Sequence, residues 1–174
     1  IETHREHATD YEWWDATYED AKEVGKLMGI NISNIYFSGF SSQGDGACFE
    51  GRYEYRKGSV KDLKAYAPQD EELHRIVQEL RNTQARAFYR LTANVKHRGH
   101  YYHKYATEIE VFDSQSGNYA SEENREAITE LLRDFMEWIY RTLEKEDEYL
   151  TSDEVITENI EVNEYEFTEN GDMA

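Results

Sequence analysis

The stretch SSQGDGACFEG, residues 41–51, sets Asp45 and the chain's single cysteine, Cys48, among three glycines. A thiol attacks as its thiolate, so a nucleophilic Cys48 would need an electropositive setting that lowers its pKa. The residues that follow argue against one. Cys48, Glu50, Arg52 and Glu54 alternate with Phe49, Gly51, Tyr53 and Tyr55, which is the period of a strand starting at once after the loop. In that setting Gly44 and Gly46 supply backbone conformations, and Asp45 closes the turn through its side chain. Farther on, the run HRGHYYH offers His97, His100 and His103 as imidazole ligands near one turn. Three-residue spacing in a strand alternates faces, so His100 and His103 are expected to point apart, and no metal or other cofactor is expected.

The spacing of Asp45, Gly46, Cys48 and Phe49, with His100-Tyr101 later, resembles the nucleophile and histidine motifs of ovarian-tumour-type cysteine proteases, which cleave ubiquitin-like tags. The resemblance implies a cysteine hydrolase using Cys48, His100 and Asp45. Those enzymes place the cysteine at a helix N-terminus, where the dipole activates it, and the strand-like period around Cys48 departs from that pattern. The expectation is therefore no catalytic residue, with the hydrolase as the alternative.

Charge is the stronger signal. The 174 residues carry 37 acids and 19 bases, a net charge of -18. Such an excess repels nucleic acid and anionic membranes and attracts basic surfaces. It is also localised: residues 51–104 are basic by 6, whereas residues 121–174 are acidic by 14. From Glu144 to Asp172 there are 12 acids and one base, Lys145. Glu144, Glu146, Asp147, Glu148, Asp153, Glu154, Glu158, Glu161, Glu164 and Glu166 are the candidate partner-binding residues. A continuous helix there would carry a carboxylate about every 3.6 Å of axis, close to the roughly 3.4 Å between phosphates on one DNA strand.

The elements that must hold these groups follow from periodicity. Asp10 can cap a helix carrying Trp14, Tyr18, Ala21, Val24, Leu27 and Met28 before Gly29 stops it. Strands are expected over 33–40 and 47–56, then short helices through Val60–Tyr66 and Leu73–Leu80. Residues 87–97 and 101–112 alternate again, and a three-residue turn at Arg98-Gly99-His100 would pair His97 with Tyr101 and Arg90 with Glu108, with Tyr89, Leu91 and Val95 inward. Ser121 begins the longest helix, through Ile128, Leu132, Phe135 and Ile139. Thr151 with Glu154 reads as a capping box for a last helix. The expected architecture is α+β: an antiparallel sheet built from two β-hairpins, backed by about five helices, in one domain over 1–174 whose residues 144–174 form a strongly acidic segment.

A lone cysteine excludes an internal disulfide and suits a reducing compartment. No window reaches the roughly 18 apolar residues of a spanning helix, and the chain opens without a signal-peptide pattern. A soluble protein of the host-cell cytoplasm is expected.

The segments EWWDATYEDAKEVGKLMGI, IYFSGFSSQGDGACFEG and EDEYLTSDEVITENIEVNEYEFTENG resemble a group of small phage and prophage proteins often labelled antitoxins of toxin-antitoxin stability systems. The resemblance implies a mobile-element setting and, by analogy, an inhibitor that acts by binding another protein. The resulting expectation is a non-enzymatic inhibitor of a basic host protein, a nucleic-acid-binding defence effector or a toxin, acting by nucleic-acid mimicry as anti-CRISPR or anti-restriction proteins do, or as an antitoxin. A binding module that uses its aromatic sheet face, as a homodimer, is the plainer reading.

Overall fold

A computed structural model describes residues 13–162. Among them lie α1 (Asp15–Met28), β1 (Ile30–Phe37), β2 (Ala47–Glu54), α2 (Ser59–Tyr66), α3 (Glu71–Arg86), β3 (Leu91–His97), β4 (Thr107–Asp113), α4 (Glu122–Leu150) and α5 (Asp153–Val162). The four strands form one antiparallel sheet in the order β1-β2-β3-β4, two hairpins side by side. The fold is α+β as the pattern anticipates, with the longest helix near the C-terminus. Two compact units are distinguished, Tyr18–Arg141 and a second that, among the described residues, holds 13–17 with 142–162. The Asp10 cap expected for the first helix lies outside the described residues.

Within Tyr18–Arg141 the period-two alternation buries one face of the sheet. Ile30, Ile35, Phe49, Tyr53, Leu91, Ala93, Val95 and Val111 are buried, while Asn31, Arg52, Asn94, Lys96 and Glu108 stand exposed on the other face. The ring of Phe135 from α4 meets Phe49 edge-on at 5.8 Å, so α4 covers the apolar face. Each such side chain, fully buried, contributes roughly 1.5–3 kcal/mol. Asp70 holds the start of α3 and its neighbour together: one carboxylate oxygen caps the Leu73 N–H at 3.0 Å, and the other accepts from the Trp138 indole at 2.8 Å. Gly51 faces a bulge in β1 at Ile32/Asn34, where a Cβ would lie 2.2 Å from the Asn31 carbonyl oxygen.

β1 begins earlier than expected, directly after Gly29, whose φ of 92° ends α1. The second hairpin departs further. α3 runs to Arg86, and Phe88 and Tyr89 follow with φ of 56° and 60°, so residues 87–90 are a helix terminus and not strand. Tyr89 is exposed, where inward packing was expected, while Leu91 and Val95 do point inward. The cause is Gln84, which is fully buried. Its amide nitrogen donates to the Leu91 carbonyl (2.7 Å) and the Tyr53 hydroxyl (3.1 Å), and its oxygen accepts from the Leu91 N–H (3.0 Å). That clamp fixes Leu91 as the first strand residue.

His97 lies opposite Thr107, six residues beyond the expected partner, so residues 98–106 form a loop in place of a three-residue turn. An even shift keeps odd positions facing odd positions, which is why the inward face survived the wrong register. Glu108 consequently faces Lys96 rather than Arg90 and takes a 2.7 Å ion pair from Arg98. In the other unit, the cap of α5 is Ser152, which accepts from the Val155 N–H at 3.4 Å, whereas the Thr151 hydroxyl turns back to the Asp147 carbonyl at 2.8 Å. The cap expected at Thr151 thus lies one residue on, and with Val155 three residues beyond it no reciprocal capping box forms.

Candidate functional site

The acidic segment occupies the last turns of α4 and all of α5. Glu144, Glu146, Asp147 and Glu148 lie on the first, and Asp153, Glu154, Glu158 and Glu161 on the second. Glu164 and Glu166 lie outside the described residues. Glu148, Asp153, Glu154, Glu158 and Glu161 are exposed, and Glu144, Glu146 and Asp147 are half-buried. Val155 and Ile156 are buried and anchor α5. The helix is interrupted at Thr151–Ser152, so the row of carboxylates is carried on two successive helices and not on one continuous rod.

Local forces oppose this arrangement. Glu144, Asp147 and Glu148 share one face at helical spacing, as do Glu154, Glu158 and Glu161, and like charges so placed repel. The C-terminal end of α4 carries no base in its last turn, although the helix dipole favours cations there. Asp147 registers the crowding: partial burial, then the charges of Glu148 and Glu144, raise its pKa above the ordinary carboxylate value.

The glycine-rich and histidine-bearing loops do meet, though not through the residues a hydrolase would need. A Cβ on Gly46 would lie 2.6 Å from that of His103, and one on Gly44 would lie 3.1 Å from the Tyr101 ring. His100 is exposed. Asp45 is occupied within its own loop, where its carboxylate accepts from the N–H groups of Ser42 (2.8 Å) and Ser41 (3.2 Å), and these bonds lower its pKa. Cys48 has no exposed surface, and burial followed by the Glu50 charge pushes its thiol up to about 12. A thiol so held stays protonated at neutral pH.

Of the three histidines, His97 donates a ring N–H to the Tyr101 carbonyl (2.8 Å), and the Nδ1 of His103 accepts from the Tyr105 N–H (3.1 Å). Among the described residues no group of three His, Cys, Asp or Glu side chains could hold a metal ion. The polar centre of this end of the sheet is Glu50 instead. Its carboxylate accepts from the Tyr36 hydroxyl (2.9 Å), the Asn34 amide (3.3 Å) and the His97 backbone N–H (3.2 Å), standing in for a strand carbonyl where the β2–β3 ladder ends. The Tyr36 bond, first, holds the Glu50 pKa below its ordinary value and raises that of Tyr36. Tyr102 stacks on Tyr36 at 5.3 Å over the same spot. Strand parity alone could have placed Glu50 beside Tyr36. The bond to His97 needs the true register.

Among the described residues no helix is long and apolar enough to cross a membrane. No curated protein and no solved structure matches the chain. Residues 13–153, which hold the sheet and the helices from α1 to α4, match a family defined as a domain of unknown function, DUF8835, and the chain belongs to that family.

Proposed function

We propose that this protein is a non-enzymatic inhibitor encoded by a phage or prophage, acting in the host-cell cytoplasm. It presents the carboxylates of α4 and α5 to a basic, nucleic-acid-binding surface of a host defence effector or toxin, where they stand in for phosphates. One observation carries the reading: eight acids and a single base, Lys145, lie between Glu144 and Val162, on two successive helices. Repulsion of this kind destabilises a helix, and a partner that presents cations to it relieves that cost. The buried, protonated Cys48 and the self-satisfied Asp45 favour this reading over a cysteine hydrolase.

The test is capture of partners from host lysate, followed by binding of the captured partner across a salt series. Reversal of Glu158, Glu161, Glu164 and Glu166 to Lys is expected to leave the far-UV spectrum unchanged and to weaken binding by roughly 100-fold or more, in keeping with the several kcal/mol that close interfacial charge pairs contribute. Nucleic acid should compete, and wild-type affinity should fall with salt as screening sets in over about 8 Å. Affinity indifferent to both salt and the four substitutions would leave the acids as a solubility device.

A further inference from the structure

Five bases of the middle third of the chain, Arg52, Arg56, Lys57, Lys61 and Arg81, line two hollows at one corner of Tyr18–Arg141. Where α1 ends and β2 ends, the Glu54 N–H donates to the Gly29 carbonyl at 3.1 Å, and a Cβ on Gly29 would lie 2.2 Å from the Glu54 carbonyl oxygen. This close approach lies beside a hollow of about 490 Å³ lined by Lys26, Asn31, Arg52, Tyr55, Arg56 and Lys57 together with the acid Glu54. A second hollow of about 300 Å³ shares Tyr55 and adds Lys61 and Arg81. Both volumes fall within, or at the edge of, the range of small-molecule sites. Lys26 is paired with Glu23 and Arg56 with Asp62. Arg52, Lys57, Lys61 and Arg81 are exposed and, among the described residues, make no ion pair.

An aromatic surface adjoins these cations. The Tyr55 ring packs against Tyr89 at 4.6 Å, and the Arg90 guanidinium lies 5.0 Å over Phe88, which is 74% exposed. Phe88 and Tyr89 both sit at positive φ, a conformation that costs non-glycine residues on the order of 1–3 kcal/mol each. The buried Gln84 clamp holds them there. Folding alone favours glycine at such positions, yet two large rings are kept at the surface beside unpaired cations.

We propose that this corner binds a nucleoside phosphate, with Arg52 and Lys57 taking the phosphate groups and the Tyr55 and Tyr89 rings taking the base. Guanidinium and ammonium groups match phosphate oxygens, and aromatic faces stack on any base. A small ligand fits better than a nucleic-acid strand. The cationic corner is local, and a strand leaving it would run onto the surface of a chain with net charge -18. A ligand confined within about one Debye length, roughly 8 Å, meets mainly the local cations. None of its residues belongs to the acidic segment, and its test does not involve that segment.

The experiment is calorimetric titration of the full chain at low salt with ADP, pyrophosphate, adenosine and a single-stranded oligothymidylate. ADP should bind, pyrophosphate more weakly, and adenosine weakest. The R52A/K57A double variant, at exposed positions, should lose at least tenfold in ADP affinity with an unchanged melting temperature. Tyr55→Leu should weaken ADP while leaving pyrophosphate as it was. No ADP binding at about 1 mM, the level of very weak complexes, would overturn the proposal. So would ADP binding indifferent to R52A/K57A, or the oligonucleotide binding more tightly than ADP.

Discussion

Tyr18–Arg141 and Thr142–Val162 are both rich in charge, yet they handle it in opposite ways. In the first, several bases are answered by acids. Arg75 reaches Glu72, Glu79 and Asp134, Arg98 reaches Glu108, and Arg141 reaches Glu137 one turn back. The buried polar groups there are satisfied as well, Gln84 and Asp70 each serving two elements. The second holds eight acids and one lysine, with like charges at helical spacing. The contrast separates charge that specifies a fold from charge held in reserve for another molecule: the first is locally neutralised, and the second is tolerated at a local cost.

That contrast is broken most directly at Gln84. Gln84→Ala would strand the Leu91 N–H and carbonyl and leave the buried Tyr53 hydroxyl without its partner. It should therefore destabilise the chain by about 3 kcal/mol or more in urea unfolding, at about 1–3 kcal/mol per unsatisfied buried group. Glu154→Gln with Glu158→Gln, by contrast, should be neutral or stabilising by a few tenths of a kcal/mol, since each removes a like-charge neighbour at helical spacing. Equal losses from both variants would erase the distinction.

Cys48→Ala is a smaller probe of the same core. It should cost under about 1.5 kcal/mol, as near-isosteric core changes do, and leave partner binding unchanged. The wild-type thiol should react slowly with iodoacetamide in the native state, and rapid stoichiometric labelling at pH 6 would revive a nucleophilic role.

The smallest effect is with pH, and it has opposite signs in the two regions. The Asp147 pKa is raised, so between its ordinary and raised values the native state holds more protons than the unfolded chain, and stability falls as pH rises through that window. The Glu50 pKa is lowered, so its contribution is present above the ordinary value and is lost as pH falls through the lowered one. Taking the solution from neutral to about pH 5, still above the ordinary carboxylate range, should begin to slow amide exchange in 142–162, after correction for intrinsic rates, and leave β2 and β3 unchanged. Further acidification should loosen β2 against β3.

Sequence periodicity carried the fold class, the element order and the inward placement of Leu91 and Val95, because side chains in strands and helices repeat with fixed periods. It failed where a single side chain overrode the period. Ala87-Phe88-Tyr89-Arg90 alternates well enough for a strand, but the buried Gln84 side chain, which belongs to no alternation, bonds Leu91 and decides that the helix ends there and the strand starts at Leu91. The histidine loop failed for a related reason: its length is set by backbone bonds from Arg98 to Ala106 and from Ala106 to His103, which no alternation encodes. The acidic segment was legible as charge. Its division into two helices rests on the turn at Thr151–Ser152, whose hydroxyls bond backward to Asp147 and Tyr149.

Because the sheet runs β1-β2-β3-β4 in the order of the sequence, each strand finds its partner in the one made just before it. Within each hairpin the strands are close in sequence, so loop-closure entropy there stays low, whereas β2 meets β3 only after the two intervening helices are made. During synthesis the meander can pair strand by strand as it leaves the ribosome, with α4 arriving last to seal Phe49 under Phe135. The acids beyond Arg141 are made only after every strand of the sheet, and had no chance to disturb its pairing.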